Sequence, residues 1–336
     1  MATIYVAGQR PGVGSTSVVT ALAIVWKQAG WRVAVIKPAS LSANGDSAFY
    51  ARTFASPSEA SLMVADHDWA QLQKQVGGRV NALTAENDVV IVEGLPFYDD
   101  EGYPVPASPA LAEHLCASVL GVVAYGRTLP ADTPLKWKGA YASLLSGVVI
   151  NRLTRYGHHD ATTRMAPAFE TAGVPVYGIL PEERQLLAPT VSQVAALLDG
   201  TFYAGASAQH ELVESFLIGG LITEWGGNYF GRNPRQAVIA RGGRIDIQMS
   251  ALNFPLSCLL LTGCEEPAQY VHQRANDLDV PLVTSPHDTP STTALLARLD
   301  ANVTIDHPDK IKRIAEMFND AVDFQAIAEF AGLRRK

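Results

Sequence analysis

Gly8-Gln9-Arg10-Pro11-Gly12-Val13-Gly14-Ser15-Thr16 is the stretch whose reading decides the fold of this chain. It follows a short apolar strand, Ile4-Tyr5-Val6-Ala7, and opens an apolar-periodic helix from about Thr16 to Gln28. A glycine-rich turn between strand and helix points several backbone N–H groups, with the positive end of the helix dipole, into one concavity. That arrangement suits the phosphates of a nucleotide. Loops of this kind ordinarily place a lysine just before the Ser/Thr to reach the outer phosphates. Here that position is Ser15. The anion cradle is spelled out while its main cation is replaced.

Working outward, Arg32 to Ile36 reads as a buried strand ending at Lys37-Pro38, which makes a parallel βαβ unit with the first strand. A polar segment, Ser40 to Ser47, precedes a helix over Ala48–Phe54. A further helical stretch is expected from Ser56-Pro57, and another over Trp69–Ala85. Asp88 to Gly94 is a near-continuous apolar run, as expected of a strand covered on both faces. Strands over Ala117–Tyr125, Ser146–Asn151 and Val174–Leu180 follow, with helices at Ala110–Leu115 and Pro134–Leu144. This alternation predicts an α/β fold with a doubly wound, mostly parallel sheet. After about Gly200 the character changes. Phe202–Gly219 is less regular and 225–234 is turn-rich, before strands at Ala237–Ala240, Ser257–Leu261 and Val280–Thr284 separated by helices. We therefore expect two domains, 1–200 and 205–336, the second smaller. Pro308–Phe330 is expected as a solvated helix on the second domain.

Composition narrows the function classes. A chain of 336 residues with 48% hydrophobic and 18% charged residues suits two well-buried globular cores. A net charge of −7 without basic blocks gives no footprint for nucleic acid. Cys116, Cys258 and Cys264 have no metal-finger spacing, which favours free thiols in a reducing compartment. No signal peptide and no run of roughly 20 apolar residues is found, so a soluble cytoplasmic protein with no membrane partner is expected.

Three polar groups fall at the carboxyl ends of expected parallel strands, where such sheets bind ligands. They are the glycine loop, Lys37 and Glu93. The candidate phosphate-binding residues are Gly8, Arg10, Gly12, Val13, Gly14, Ser15, Thr16 and Lys37. The Thr16 hydroxyl, Asp46 and Glu93 are hard oxygen ligands that could hold Mg²⁺ together with substrate phosphates. Asp46 beside Gly45 reads equally as a turn residue, and Glu93 as a cap or ion-pair partner. Gly94 would let backbone approach a metal closely. The adjacent His158 and His159 are read as solvated.

At these residues the chain resembles a known family. Gly8 to Thr16 resembles the phosphate loop of dethiobiotin synthetase and its amidoligase relatives. Lys37-Pro38 resembles that family's second phosphate-contacting lysine, Asp46 its first magnesium carboxylate, and Glu93-Gly94 its metal strand. The resemblance also implies that Asn151, in Gly147-Val148-Val149-Ile150-Asn151-Arg152, reads adenine. Leu180 to Arg184 with Ala188 to Val191 is closer to the amino-terminal domain of long phosphotransacetylases, a subfamily that tends to lose the loop lysine. Val238–Asp246, Leu259–Gly263 and Pro286–Thr293 resemble the DRTGG domain that follows it there. The two resemblances cover nearly the whole chain. No acetyltransferase-sized module follows, so the expectation is a free-standing regulatory half.

The departures are Ser15, and Arg241-Gly242-Gly243-Arg244 where the second domain usually carries an acidic residue. Losing a cation that stabilises phosphoryl charge weakens transfer chemistry, although Arg10 could substitute. Two readings follow. One is a regulatory protein binding a nucleotide or small anionic metabolite with little or no ATPase activity, whose second domain serves dimerisation or a protein partner. The other is an ATP- and Mg²⁺-dependent carboxylate ligase in which Lys37 carries the catalysis. The related folds imply a homodimer.

Overall fold

The computed structural model describes residues 2–220, 226, 228–264, 266–299 and 303–333. The chain forms two compact units, one made of 1–183 with 305–336 and the other of 184–304. This division differs from the expected one at both ends, because the C-terminal segment returns to the first unit.

The first unit is built on a six-stranded sheet. Its strands are β1 (Ala2–Gly8), β2 (Val33–Ile36), β5 (Val89–Glu93), β6 (Ser118–Ala124), β7 (Leu145–Leu153) and β8 (Val176–Pro181). A separate small pair, β3 (Ala39–Ser40) and β4 (Leu62–Met63), lies outside that sheet. The order is β2-β5-β1-β6-β7-β8, with every pairing parallel. From β1 the chain moves toward β2, whereas from β5 it crosses β1 to reach β6. That reversal opens a crevice beyond the carboxyl end of β1, the usual ligand position in such sheets. The glycine loop therefore sits at the switch point. The stretch after Pro57, expected to be helical, is irregular up to β4, whose pairing Ala39↔Leu62 ties it back to β3.

Helix α1 (Ser15–Gln28) explains why the C-terminus returns. Val18, Val19, Thr20, Ala21, Leu22, Ala23, Val25 and Trp26 are all buried, so its apolar surface runs around the whole circumference. A helix lying on a sheet with its other side in water needs only an apolar stripe. A second layer must cover α1, and the amphipathic helix Pro308–Ala321 does so, burying Ile314, Ala315, Met317 and Phe318. The expected single helix over 308–330 is broken at Val322. There the chain bridges Gly178, Asp323 N donates to Tyr177 O at 2.8 Å, and a second helix, Phe324–Phe330, begins. This segment packs on the edge strand β8 and engages its middle at Tyr177 and Gly178.

The second unit has a five-stranded sheet in the order β10-β11-β12-β13-β9. Its strands are β9 (Thr201–Ala204), β10 (Ser215–Ile218), β11 (Gln236–Arg241), β12 (Cys258–Thr262) and β13 (Leu282–Ser285). Only β9 is antiparallel, pairing with β13. The less regular stretch 202–219 thus contains strand residues of both β9 and β10. Within the expected turn-rich stretch, Trp225 and Gly227 lie outside the described residues. Separate apolar clusters fill the two faces of this sheet, one around Val238, Leu259 and Ile247 and the other around Ile239, Leu260 and Val194.

Candidate functional site

The loop after β1 is held from behind. Gln9 N donates to Val122 O at 2.7 Å, while Gly8 O and Gln9 O accept from Phe97 N and Tyr98 N at 2.8 and 2.9 Å. Asn151, at the end of β7, donates its amide nitrogen to Val13 O at 2.9 Å. Gly14 has φ +95, and a Cβ there would stand 2.3 Å from Asn151 Nδ2, so both backbone conformation and space require glycine. Among the described residues, the N–H groups of Gly12, Val13, Gly14, Ser15 and Thr16 find no backbone partner, so the cradle's donors are open. The Ser15 hydroxyl folds back over the loop, 2.4 Å from where a Gly8 Cβ would be. The Val13 side chain is buried, and Arg10 is exposed with no ion-pair partner among the described residues.

Beside the loop the structure brings together four of the residues singled out from sequence. Lys37, just past β2, donates to Glu93 Oε1 at 2.8 Å and also to Asp46 Oδ2. Thr16, in the first turn of α1, donates to the same Glu93 Oε1 at 3.0 Å. Asp46 is the first residue of α2 (Asp46–Phe54), which puts its charge at the favourable end of the helix dipole. The turn leading into α2 is fixed by side chains: Asn44 donates to Ser40 Oγ at 2.6 Å and its Oδ1 accepts from Asp46 N at 3.2 Å. Ser61 Oγ donates to Lys37 O at 2.7 Å, which anchors the backbone under the lysine.

Sequence reasoning missed Tyr50. It lies one helical turn beyond Asp46 on the same face of α2, is 1% exposed, and donates its hydroxyl to Glu93 Oε2. The four-residue spacing from Asp46 was the available signal. Both Glu93 oxygens are thus engaged, and the side chain is only 5% exposed.

The electrostatics follow from this geometry. Burial pushes the Lys37 ammonium down, but the adjacent Glu93 and Asp46 charges outweigh it, and the group ends above the ordinary lysine range. Burial, reinforced by the Glu93 charge, pushes the Tyr50 phenol well up, so it stays a proton donor. Tyr5 stands behind the site, its phenol raised to about 12 by burial, accepting from Leu95 N at 2.8 Å. Gly94 makes room for this tyrosine. A Cβ there would lie 2.2 Å from the Tyr5 ring.

The donor set suits a hard divalent cation. Two carboxylates and a hydroxyl gather where an ammonium already sits, and magnesium characteristically takes one or two carboxylates and completes its shell with water and phosphate. No group of three or more His, Cys, Asp or Glu suited to a metal occurs among the described residues. His158 and His159 are exposed, as read from sequence. No described helix is long and apolar enough to cross a membrane.

In the second unit, Arg241-Gly242-Gly243-Arg244 turns the chain after β11. Gln248 ties that turn to the following helix, donating to Arg241 O at 2.7 Å and Gly242 O at 3.0 Å. Gly263 N, after β12, donates to His287 O at 2.8 Å, so the motif turns interlock at the carboxyl edge of the sheet.

Comparison with known proteins matches this architecture. The AAA domain family matches residues 2–190, more than half of the chain. The chain belongs to the AAA domain family. A DRTGG domain follows it over residues 193–299, ending before the C-terminal helices that pack on the first unit. A phosphate acetyltransferase of Deinococcus radiodurans is 24% identical over 354 residues, covering 96% of this chain and 50% of that protein. The chain thus spans about half the length of that relative, and the domain order is consistent with the amino-terminal half of phosphotransacetylases. Among solved structures, the MinD cell division protein of Aquifex aeolicus is 15% identical, covering 56% of this chain and 84% of that one with a TM-score of 0.40. The CBS and DRTGG domains of the regulatory region of a Clostridium perfringens pyrophosphatase, complexed with the activator diadenosine tetraphosphate, are 17% identical. They cover 37% of this chain and 55% of that one, with a TM-score of 0.32.

Proposed function

We propose that this AAA–DRTGG chain is a regulatory protein whose first unit binds a nucleotide or a related anionic metabolite with Mg²⁺, and that it turns ATP over slowly or not at all. The observation that carries the reading is Ser15. The loop keeps its open N–H groups and its anchors, yet the residue that would bring a lysine to the outer phosphates offers only a short hydroxyl folded over Gly8. Backbone donors suffice to bind phosphate, whereas transfer needs charge stabilisation that grows in the transition state. The loop from Gly8 to Thr16 would cradle the phosphates. Thr16, Asp46 and Glu93 would hold the cation, and Asn151 Oδ1 would remain to meet adenine, since its amide nitrogen serves Val13 O. Bound Mg²⁺ would supply neutralisation of phosphate charge.

One observation favours a working ligase as the second reading. Lys37, Thr16, Asp46 and Glu93 form one connected group, and Lys37 released from its carboxylates could stabilise a transferring phosphoryl group. In that reading Lys37 is the catalytic residue and a carboxylate metabolite is the acceptor. Homodimerisation and contact with a protein partner through the DRTGG domain complete the regulatory reading, together with a cytoplasmic location. Calorimetry with MgATP, paired with phosphate release, separates the two. Binding without turnover supports regulation, turnover accelerated by a carboxylate supports the ligase, and no binding of any nucleotide sinks both.

A further inference from the structure

We propose that Tyr50 sets the cation preference of this site by reserving one oxygen of Glu93, so that Glu93 can present a single oxygen, Oε1, to a metal. The inference rests on the reading that Thr16, Asp46 and Glu93 hold a cation with the nucleotide. Glu93 Oε2 accepts the Tyr50 hydroxyl, while Oε1 takes both Thr16 and Lys37. Tyr50 cannot turn away cheaply. Its ring is 1% exposed and lies between Phe49 and Phe54, with centroids 5.3 and 6.2 Å away.

Calcium and magnesium ask different things of a carboxylate. Calcium takes six to eight oxygens at about 2.3–2.6 Å and often engages both oxygens of one carboxylate. Magnesium holds six at about 2.0–2.1 Å and accepts one oxygen from each carboxylate, with water and phosphate completing the shell. A glutamate with Oε2 bound to a buried phenol cannot chelate through both oxygens unless that hydrogen bond breaks. The group therefore suits the small octahedral cation and discriminates against the larger one. Thr16 reinforces the bias, because its hydroxyl and Glu93 Oε1 are already in contact and offer adjacent single-oxygen positions. Tyr50 is a positioning residue in this account. It touches neither nucleotide nor metal, and acts through Glu93.

The test is ATP binding to the full chain by calorimetry, in Mg²⁺ and separately in Ca²⁺, for the native protein and Tyr50→Phe. The native protein is expected to bind ATP roughly tenfold more tightly with Mg²⁺, and Tyr50→Phe to bring the two affinities to within about threefold, chiefly by gaining in Ca²⁺. A purely structural role for Tyr50 would weaken both cations alike and leave the ratio unchanged, and that result overturns the inference. The native protein supplies a reading that does not depend on the variant folding: equal affinity with the two cations overturns the inference while sparing the nucleotide reading. No ATP binding with either cation overturns both.

Discussion

Replacing Lys37 by methionine keeps the aliphatic stem and deletes the ammonium that faces two carboxylates. Its side chain is 12% exposed, against 5% for Glu93 and 23% for Asp46. Removing one partner of a buried ion pair costs about 3–5 kcal/mol, because the other charge is left without compensation. Two features argue for the lower end. Glu93 keeps hydroxyl donors from Tyr50 and Thr16, and Asp46 can recover water. We expect a loss of about 3 kcal/mol, which for a unit of this size lowers the melting temperature by about 6–12 °C. Urea unfolding followed by tryptophan fluorescence reports the right unit, since Trp26 and Trp137 are fully buried in it. Adding Glu93→Gln to the variant removes the stranded charge and should restore half or more of the loss. The pH dependence gives an independent check. The folded Lys37 sits above its unfolded value, so its contribution is complete below about pH 10 and is lost only as pH rises through the higher folded value. The gap between native and variant should therefore be constant from pH 7 to pH 9. A gap under about 1 kcal/mol, or one that closes between those two pH values, would refute the argument that this ammonium is held by the two carboxylates.

Ser15→Lys should tighten MgATP binding by roughly 10- to 100-fold, the worth of about 1.5–3 kcal/mol for one charge-assisted contact to phosphate, and unchanged affinity by calorimetry would mean that phosphates do not lie in this loop. Gly94→Ala drives a methyl into the Tyr5 ring and should cost about 3 kcal/mol in urea unfolding, whereas native stability would refute the contact. Lys310 is 2% exposed and burial lowers it to about 8, so the unfolded chain binds the extra proton between that value and the ordinary lysine range. Stability should consequently rise by about 3 kcal/mol as pH goes from 8 to 10.5, and Lys310→Met should flatten that rise; an identical slope in the variant would count against it.

The parts of this structure that were legible in sequence are those whose signals are local. The strand–turn–helix around Gly8–Thr16 announces itself through glycine spacing, and β2 and β5 through short apolar runs, so the first sheet was within reach. Lys37 and Glu93 were legible because both follow such runs. Parallel pairing brings Ile36 opposite Val92 and Val6 opposite Glu93, so strand ends far apart in sequence meet at one edge. What escaped depends on shape. The Tyr5 ring, reaching across from β1 to fill the space beside Gly94, leaves no mark in the local sequence. No local signal announced that the Asn151 amide nitrogen also ties β7 to the loop at Val13 O. The C-terminal helices were placed on the wrong unit because amphipathicity says that a face is buried without saying against what. The missing clue was in α1, whose apolar residues from Val18 to Trp26 leave no side fit for water.

The same contrast between local signal and arrangement bears on function. Ser15 by itself weakens the case for catalysis, while the survival of Lys37, Thr16, Asp46 and Glu93 by itself strengthens it. Their geometry ties the two together. Lys37 is engaged by both carboxylates, so it cannot serve a phosphate and hold Asp46 and Glu93 at once. A divalent cation arriving with a nucleotide competes for those same oxygens, and each state excludes part of the other. With a lysine at position 15 the phosphates would have their own cation and Lys37 could remain where it is. With serine there, the proposed binding mode would draw the charge that compensates phosphate from the incoming metal, from Arg10 or from Lys37 leaving its carboxylates. Binding that drew Lys37 away would be coupled to a rearrangement at the ends of β2 and α2, as the proposed sensor role requires, since a ligand reports its presence only through contacts that differ between the two states. In the regulatory reading we propose, the serine that would slow phosphoryl transfer would also make occupancy consequential for the surrounding fold.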